Sequence, residues 1–568
     1  MAFRLPAAPD GLMATQWTDL SPRYDELLSR PLDADTIHQW LADWSLLSEA
    51  VGEMSTRLGV AADADTADAE AERALLAFVR ETLRNSEAKS NALAARLLAS
   101  DLCPPGFEEP LRRLRASDEI FTEANLPLLA DERELETHTS KILGSRTVSL
   151  DGEERTIPQL QPLLESHDRA RREEVWRLSE ARQLDDREAL NDLWVRFYSL
   201  RQEIAANAGL SDYRAYVWKG AWRFDYTPQD CEAFGRAILD VAVPAAARVY
   251  ERRRARLGVP TLRPWDLAVD PYGEEPLRPL TAVADLEDIV SGIVGHVDPV
   301  LQGCFETMRA GGLLDLGNRK NKAPGAYSAS LPMSKRPCIF MNAVGHHEDV
   351  EVLIHELGHA CHAFLSADLP LVHLRQVPME FCEVASMGLV YLACPYFQRE
   401  RGGCYSAREA ARATIAAIER ALLFWPYMAV VDGFQHWAYL HPDDASQPAR
   451  CDEAWAELFT RFTPGVDYSG LDATLATGWQ RKPHIFGSPF YYVEYGLAQL
   501  GAVQLWRLSQ SDSEGAAAAY RRALSLGGSV PLPELFAAAG ARFEFDAGTL
   551  REAVGFLEEA IEALLPLT

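Results

Sequence analysis

The 568-residue chain is short of basic residues. Lys and Arg number 56 against 83 Asp and Glu, a formal net charge of −27. Such a surface repels phosphate backbones and anionic headgroups, so neither nucleic acid nor a membrane is an expected partner. Long apolar runs are missing too. The longest, Ala421 to Val431, is interrupted by Pro426 and falls short of the ~20 residues that a bilayer requires. The opening MAFRLPAAPDGLMATQWTDL has no basic stretch followed by an apolar run, so no leader peptide is expected. The nine cysteines are scattered, odd in number and include no Cys-x-x-Cys pair. That argues against a disulfide framework and for reduced thiols in the cytoplasm. Internal repeats and low-complexity tracts are absent, and strand signals are few.

What is present is apolar residue in quantity, 48% of the chain, enough for a large core and too much for a disordered protein. The length suits two to four domains or one large multi-lobed enzyme. Ile37, Trp40, Leu41, Trp44, Leu47, Val51, Met54 and Leu58 recur at helical steps. Asp33 or Asp35 can start this helix and Gly59 can end it. Leu75, Leu76, Val79 and Leu83 continue the pattern, and Leu190, Leu193, Trp194, Phe197, Leu200 and Ile204 mark another helix. Residues 1–190 therefore read as an N-terminal helical domain. A hairpin is expected from Thr147 to Ile157 around Asp151-Gly152. Cys338–Met341 suits a short strand. Gly258–Pro279, rich in Pro and Asp, and Gly311–Gly325, rich in Gly, Asn and Lys, read as surface loops.

The segment DVEVLIHELGHACHAFL, from Asp349 to Leu365, carries His355-Glu356-Leu357-Gly358-His359. Roughly 0.04 chance matches to such a pattern are expected in a chain of this composition. On a helix, residues four apart share a face, so both imidazoles can hold one zinc ion. Glu356 is rotated by about 100° and falls beside a metal-bound water rather than on the metal. A catalytic zinc needs a third protein ligand. Glu380 and Glu383 both follow at a distance that lets the chain finish one helix, turn and return on another; one would ligate and the other support it. Gly358 costs the helix about 1 kcal/mol against Ala and invites close approach of another backbone. His362, three residues past His359, suits packing or hydrogen bonding behind the metal ligands. Cys361 and Cys382 read as core.

These residues resemble a known family. His355-Glu-Leu-Gly-His359-Ala-Cys-His362 is similar to the signature of the M3 metallopeptidases, which include thimet oligopeptidase and the oligoendopeptidase F group. Glu383-Val-Ala-Ser386 resembles the third-ligand segment, which favours Glu383 over Glu380. Lys322-Ala-Pro-Gly-Ala-Tyr-Ser328 and Pro337-Cys-Ile-Phe-Met-Asn342 look like the loop and edge strand before the zinc helix. Arg201-Gln-Glu-Ile-Ala205 and Arg223-Phe-Asp-Tyr-Thr227 also fit, as does His484-Ile-Phe-Gly-Ser-Pro-Phe-Tyr-Tyr-Val-Glu-Tyr495.

The resemblance implies a mainly α fold, with two helical lobes flanking a deep substrate channel and a small β-sheet near the zinc helix. Residues 191–568 would form the catalytic domain. It implies one Zn²⁺ per chain on His355, His359 and Glu383, with Glu356 as general base. His484, Tyr492 and Tyr495 would stabilise the oxyanion, with Tyr491 the alternate. Gly325, Tyr327 and Phe340, with Tyr491, would line the substrate site, and an extended peptide could add to the Cys338–Met341 strand. The expected activity is endopeptidase action on short unstructured peptides, by a monomer or homodimer. An exopeptidase and a non-catalytic peptide-binding scaffold are the competing readings; intact Glu356 speaks against the scaffold.

Overall fold

The computed structural model describes residues 5–6, 9–280 and 282–568. Of the N-terminal stretch read for a leader, residues 1–4 and 7–8 lie outside the described residues. Helices dominate, with two small sheets among the described residues. The chain folds into two compact units, each assembled from three stretches. One comprises Met1–Glu119, Leu277–Ala410 and Gly501–Phe543; the other comprises Ile120–Pro276, Ala411–Leu500 and Glu544–Thr568. A division at residue 190 is one along the chain. The compact units are cut differently, with residues 1–119 in one and 120–190 in the other.

In the first unit, Trp40, Leu41, Trp44 and Leu47 of the Ile37–Ala64 helix pack with Leu20, Tyr24, Leu27, Leu93 and Leu97. The Asp33 carboxylate accepts the Thr36 N–H at the helix start. The helix does not stop at Gly59 but runs to Ala64. Its last turn is tied down, since Asp63 accepts hydrogen bonds from the Ala323 N–H and the Tyr327 hydroxyl. These tertiary bonds offset the small helical penalty of one glycine.

The same unit holds a three-stranded sheet of β3 (Leu314–Gly317), β4 (Tyr327–Leu331) and β5 (Arg336–Ala343), ordered β3-β5-β4. The expected Cys338–Met341 strand exists, but it is central: β3 pairs with it in parallel and β4 antiparallel. A substrate cannot add to it. The stretch Gly311–Gly325, expected as loop, contains β3. Lys322 nails the remaining loop under the sheet, donating to the carbonyls of Asp315, Gly317 and Met341.

In the second unit, β1 (Thr147–Leu150) and β2 (Glu153–Thr156) form the expected hairpin. Asp151 and Gly152 have φ of 56° and 81°, as a type I′ turn demands. The expected surface loop after Gly258 is partly core: Trp265 and Asp266 are buried, and Asp266 pairs with Arg169 and Arg172. The Ala407–Leu440 helix is long and apolar enough to cross a membrane, yet 72% of its apolar window is buried within the protein.

Candidate metal centre

The His347–Ser366 helix packs on β4 and β5. The Asp349 carboxylate opens it by accepting the N–H groups of Val344, Gly345 and His346. The chain then turns and returns as the Met379–Ala393 helix. A Cβ on Gly358 would lie 2.6 Å from both the Ala385 carbonyl oxygen and the Ser386 Cα. The glycine therefore lets the two helices meet backbone to backbone.

That contact brings three donors together. Nε2 of His355 lies 3.6 Å and Nε2 of His359 3.8 Å from Oε2 of Glu383. Glu380, one turn earlier, is buried but does not belong to this donor group. Burial and the neighbouring His359 push the His355 imidazolium pKa down to about 3. Burial pushes His359 down to about 4, against a hydrogen bond to the Cys382 backbone. Both rings are thus neutral and able to offer a lone pair. The Ser386 hydroxyl donates to Glu383 Oε2 at 3.0 Å and fixes the carboxylate. Tetrahedral N/O ligation at ~2.0–2.1 Å implies donors about 3.3 Å apart, so the two histidine–carboxylate distances suit a divalent ion after a contraction of a few tenths of an ångström, and all three donor atoms lie within 4.8 Å of one another. The imidazoles are 30% and 23% exposed, which leaves an open side.

Glu356 is buried beside this group. Burial, then the charge of Glu383, pushes its carboxyl up to about 7, against the pull of a hydrogen bond from the Ser328 N–H. His362 stands behind His359 against the Phe381 ring, and burial with the nearby His359 pushes it down to about 3. Cys361 is buried, with the Cys304 thiol against it, and Cys382 is half-buried.

The Ser328 contact identifies the free edge of the sheet. The Ile339 N–H points to Leu313 on the β3 side. Cys338 and Phe340 therefore turn toward β4 and pair with Ala329 and Tyr327. Ser328 and Ser330 are left presenting N–H and C=O outward, Ser328 to Glu356. No sequence signal marked this edge, because Tyr-Ser-Ala-Ser-Leu alternates only weakly. Of the expected substrate-site residues, Gly325 sits in a turn at φ 100°. Tyr327 stacks on Phe340 at 4.9 Å and donates its hydroxyl to Asp63. Phe340 itself is buried beneath Tyr327 and the Lys322 ammonium and offers a peptide no surface.

The second unit gathers the other expected group. The His484 ring lies 5.0 Å from that of Tyr492, 5.8 Å from Tyr491 and 6.2 Å from Tyr495. Tyr492 is buried against Phe424 and Tyr427, and burial raises its pKa. Two buried arginines hold the segment: Arg201 donates to the carbonyls of Ile485 and Phe486, and Arg223 to Phe490 O and Glu494. Gln435 accepts the N–H of Phe490, which sits at φ 64°. The sequence reading missed Lys482. Its ammonium lies 4.6 Å from the Tyr427 ring; burial lowers its pKa, and its charge adds to the burial that lowers His484.

Residues 162–554 match the model of peptidase family M3. Among solved structures, PZ peptidase A with an inhibitor is 26% identical, covers 99% of this chain and 98% of its own, and superposes with a TM-score of 0.88. A protein described as an oligoendopeptidase F is 27% identical with the same coverage and a TM-score of 0.87. A third, from Bacillus anthracis, is 22% identical with 99% and 97% coverage; its TM-score of 0.82 shows the shared fold. No curated protein matches the chain in sequence. A family match over well more than half of the residues, with the same fold throughout, places the chain in peptidase family M3 as a metallopeptidase.

Proposed function

We propose that the protein is a zinc-dependent oligoendopeptidase that hydrolyses internal bonds of short, extended peptides. The observation that carries this reading is the position of Glu356: beside the His355, His359 and Glu383 donors, outside the donor group, and at the open edge of β4. A zinc ion held by those three residues would supply a Lewis acid for the scissile carbonyl and lower the pKa of water. Glu356, as carboxylate, takes the proton of the attacking water on its free oxygen and delivers it to the leaving nitrogen. The Ser328 N–H orients Glu356. His484, Tyr492 and Tyr495, with Tyr491 the alternate, are assigned as oxyanion donors by the family resemblance; the single cluster of their rings supports treating them as one group.

An extended peptide pairs with the outward N–H and C=O of Ser330 and the C=O of Ser328 as an added strand, the Ser328 N–H staying with Glu356. A folded substrate would first have to open, at ~5–15 kcal/mol, so substrate size is the natural selector. The test uses one cleavable sequence in three forms: a quenched peptide of roughly 5–20 residues blocked at both ends, the same peptide with free ends, and the same segment in a surface loop of a compact protein. Cleavage of the blocked peptide far above that of the protein is expected. Hydrolysis of free-ended peptide alone would mean an exopeptidase, no turnover by metal-loaded protein would mean a scaffold, and equal kcat/KM on peptide and protein would end the size-selection idea.

A further inference from the structure

A cavity of about 160 Å³ opens beside the free edge of β4, between Ser330, Leu331 and Pro332 on one side and Ala363, Ser366 and Ala367 of the metal helix on the other. Val372, Arg375 and Gln376 close its far end, and Lys335 and Arg336 stand at its rim. Its position relative to Glu356 is set by the strand. The Glu356 carboxylate meets the N–H of Ser328, and the cavity borders Ser330, two residues or about 6.6 Å further along. Ser328 and Ser330 share one face of β4, and on an added strand the residue opposite Ser330 points its side chain to that same face. The N–H and C=O of Ser330 have no partner outside the sheet among the described residues. Nothing thus competes with a peptide backbone there.

The walls are mainly apolar. The Ser366 hydroxyl is already satisfied by the His362 carbonyl. The cations at the rim are not equivalent. Arg375 is held by Glu49 at 2.6 Å and by the Leu369 carbonyl, and Lys335 lies 3.7 Å from Asp368. Arg336 is exposed and forms no ion pair among the described residues, which is notable in a chain of net charge −27.

We propose that this cavity is a specificity subsite. It takes a medium-sized apolar side chain at the second position before or after the scissile bond, two residues along the strand from the residue on the other side of that bond, and Arg336 at its rim discriminates against a basic one. The assignment rests on the peptidase reading above. Burial of the apolar side chain supplies the preference, and a methylene or two in such a pocket is worth about 10–200-fold in kcat/KM.

The test uses end-blocked quenched peptides carrying Gly, Leu or Lys at the second position before or after the scissile bond, with wild type, Ala363→Phe and Arg336→Glu. For wild type, Leu should exceed Gly about tenfold or more at one of the two positions and not at the other. Ala363→Phe fills the cavity and should cut the Leu/Gly ratio at that position at least fivefold. Arg336→Glu, on the surface, should raise the Lys/Gly ratio at that position alone. An unchanged Leu/Gly ratio in Ala363→Phe, or equal slowing of both peptides together with an unchanged Lys/Gly ratio in Arg336→Glu, overturns the subsite while leaving the peptidase reading intact. Failure of wild type to cleave even the Gly peptide overturns that reading and the subsite with it.

Discussion

Among the described residues, two clusters of similar donors stand out, one in each unit, and their surroundings give them opposite chemistry. His355, His359 and Glu383 form one; Cys231, Asp432 and His436 form the other, also with donor atoms within 4.8 Å of one another. The first has half-buried rings on an open side. In the second, the His436 and Asp432 side chains are only 5% and 6% exposed, and Trp218 and Phe490 pack against the imidazole. Nη1 of Arg214 lies 3.4 Å from His436 Nδ1. A guanidinium only donates, so Nδ1 must accept, and the proton goes to Nε2, which faces Asp432 at 3.3 Å. A protonated Nε2 has no lone pair for a metal. Two comparable donor groups thus differ in what their surroundings allow: the first has the geometry to hold an ion, and the second is an internal polar prop. What separates them is an open coordination side and what the far ring nitrogen touches.

The comparison is sharpened most by activity. Glu356→Gln should lower kcat by ~10²–10⁴ while metal content stays at the wild-type level, whereas Asp432→Asn should leave kcat within about threefold per folded molecule; a Glu356→Gln enzyme keeping a tenth of wild-type kcat would remove Glu356 from the role of base. Metal analysis after dialysis comes next. Glu383→Ala should fall from one equivalent toward none, Glu380→Ala should fall less, and Cys231→Ser should keep one. Equal retention by the two glutamate variants would break the ligand assignment. Thermal stability gives a smaller separation. Chelation should lower the Tm of wild type and Asp432→Ala alike, since metal binds the folded state, but should leave Glu383→Ala unmoved. Asp432→Ala itself should cost ~0.5–3 kcal/mol in urea denaturation by removing a buried side chain packed beside the His436 ring. The smallest effect is expected from Arg214→Met. Cobalt titration should still stop at one equivalent because the ring remains enclosed, and a second equivalent would show that the guanidinium alone keeps metal out.

The metal helix was legible because the same five residues fix both its period and its chemistry. Glu383 could be separated from Glu380 only by resemblance, since a single turn divides them; the structure separates them by which one the Gly358 contact brings toward the imidazoles. The sheet was read less well. β3 is four residues inside a Gly- and Asn-rich stretch, and β4 carries serines where burial would have placed apolar residues. With both neighbours hidden, Cys338–Met341 passed for an edge. Gly258–Pro279 looked solvated from its Pro and Asp content, but Asp266 is neutralised by two arginines about a hundred residues earlier in the chain. Arg201 and Arg223 stood out only as motif residues. Their role, clamping carbonyls that flank His484 and Tyr491, depends on pairings between segments some 270–290 residues apart, which no local pattern encodes.

Gly358 has a consequence beyond close packing. Most helix pairs are separated by a layer of side chains that can repack, so their spacing yields to a change of residue or temperature. Here backbone rests on backbone, so the spacing of the two helices that carry the imidazoles and the opposing carboxylate does not depend on repackable side chains, and only side-chain torsions remain to adjust. The site behaves like a fixed-gap calliper. The histidine–carboxylate distances already stand within a few tenths of an ångström of what an ion requires, so metal capture need not drive folding as it does in a zinc finger, and metal-free protein should load at the speed of ion diffusion and dehydration and of a small side-chain adjustment.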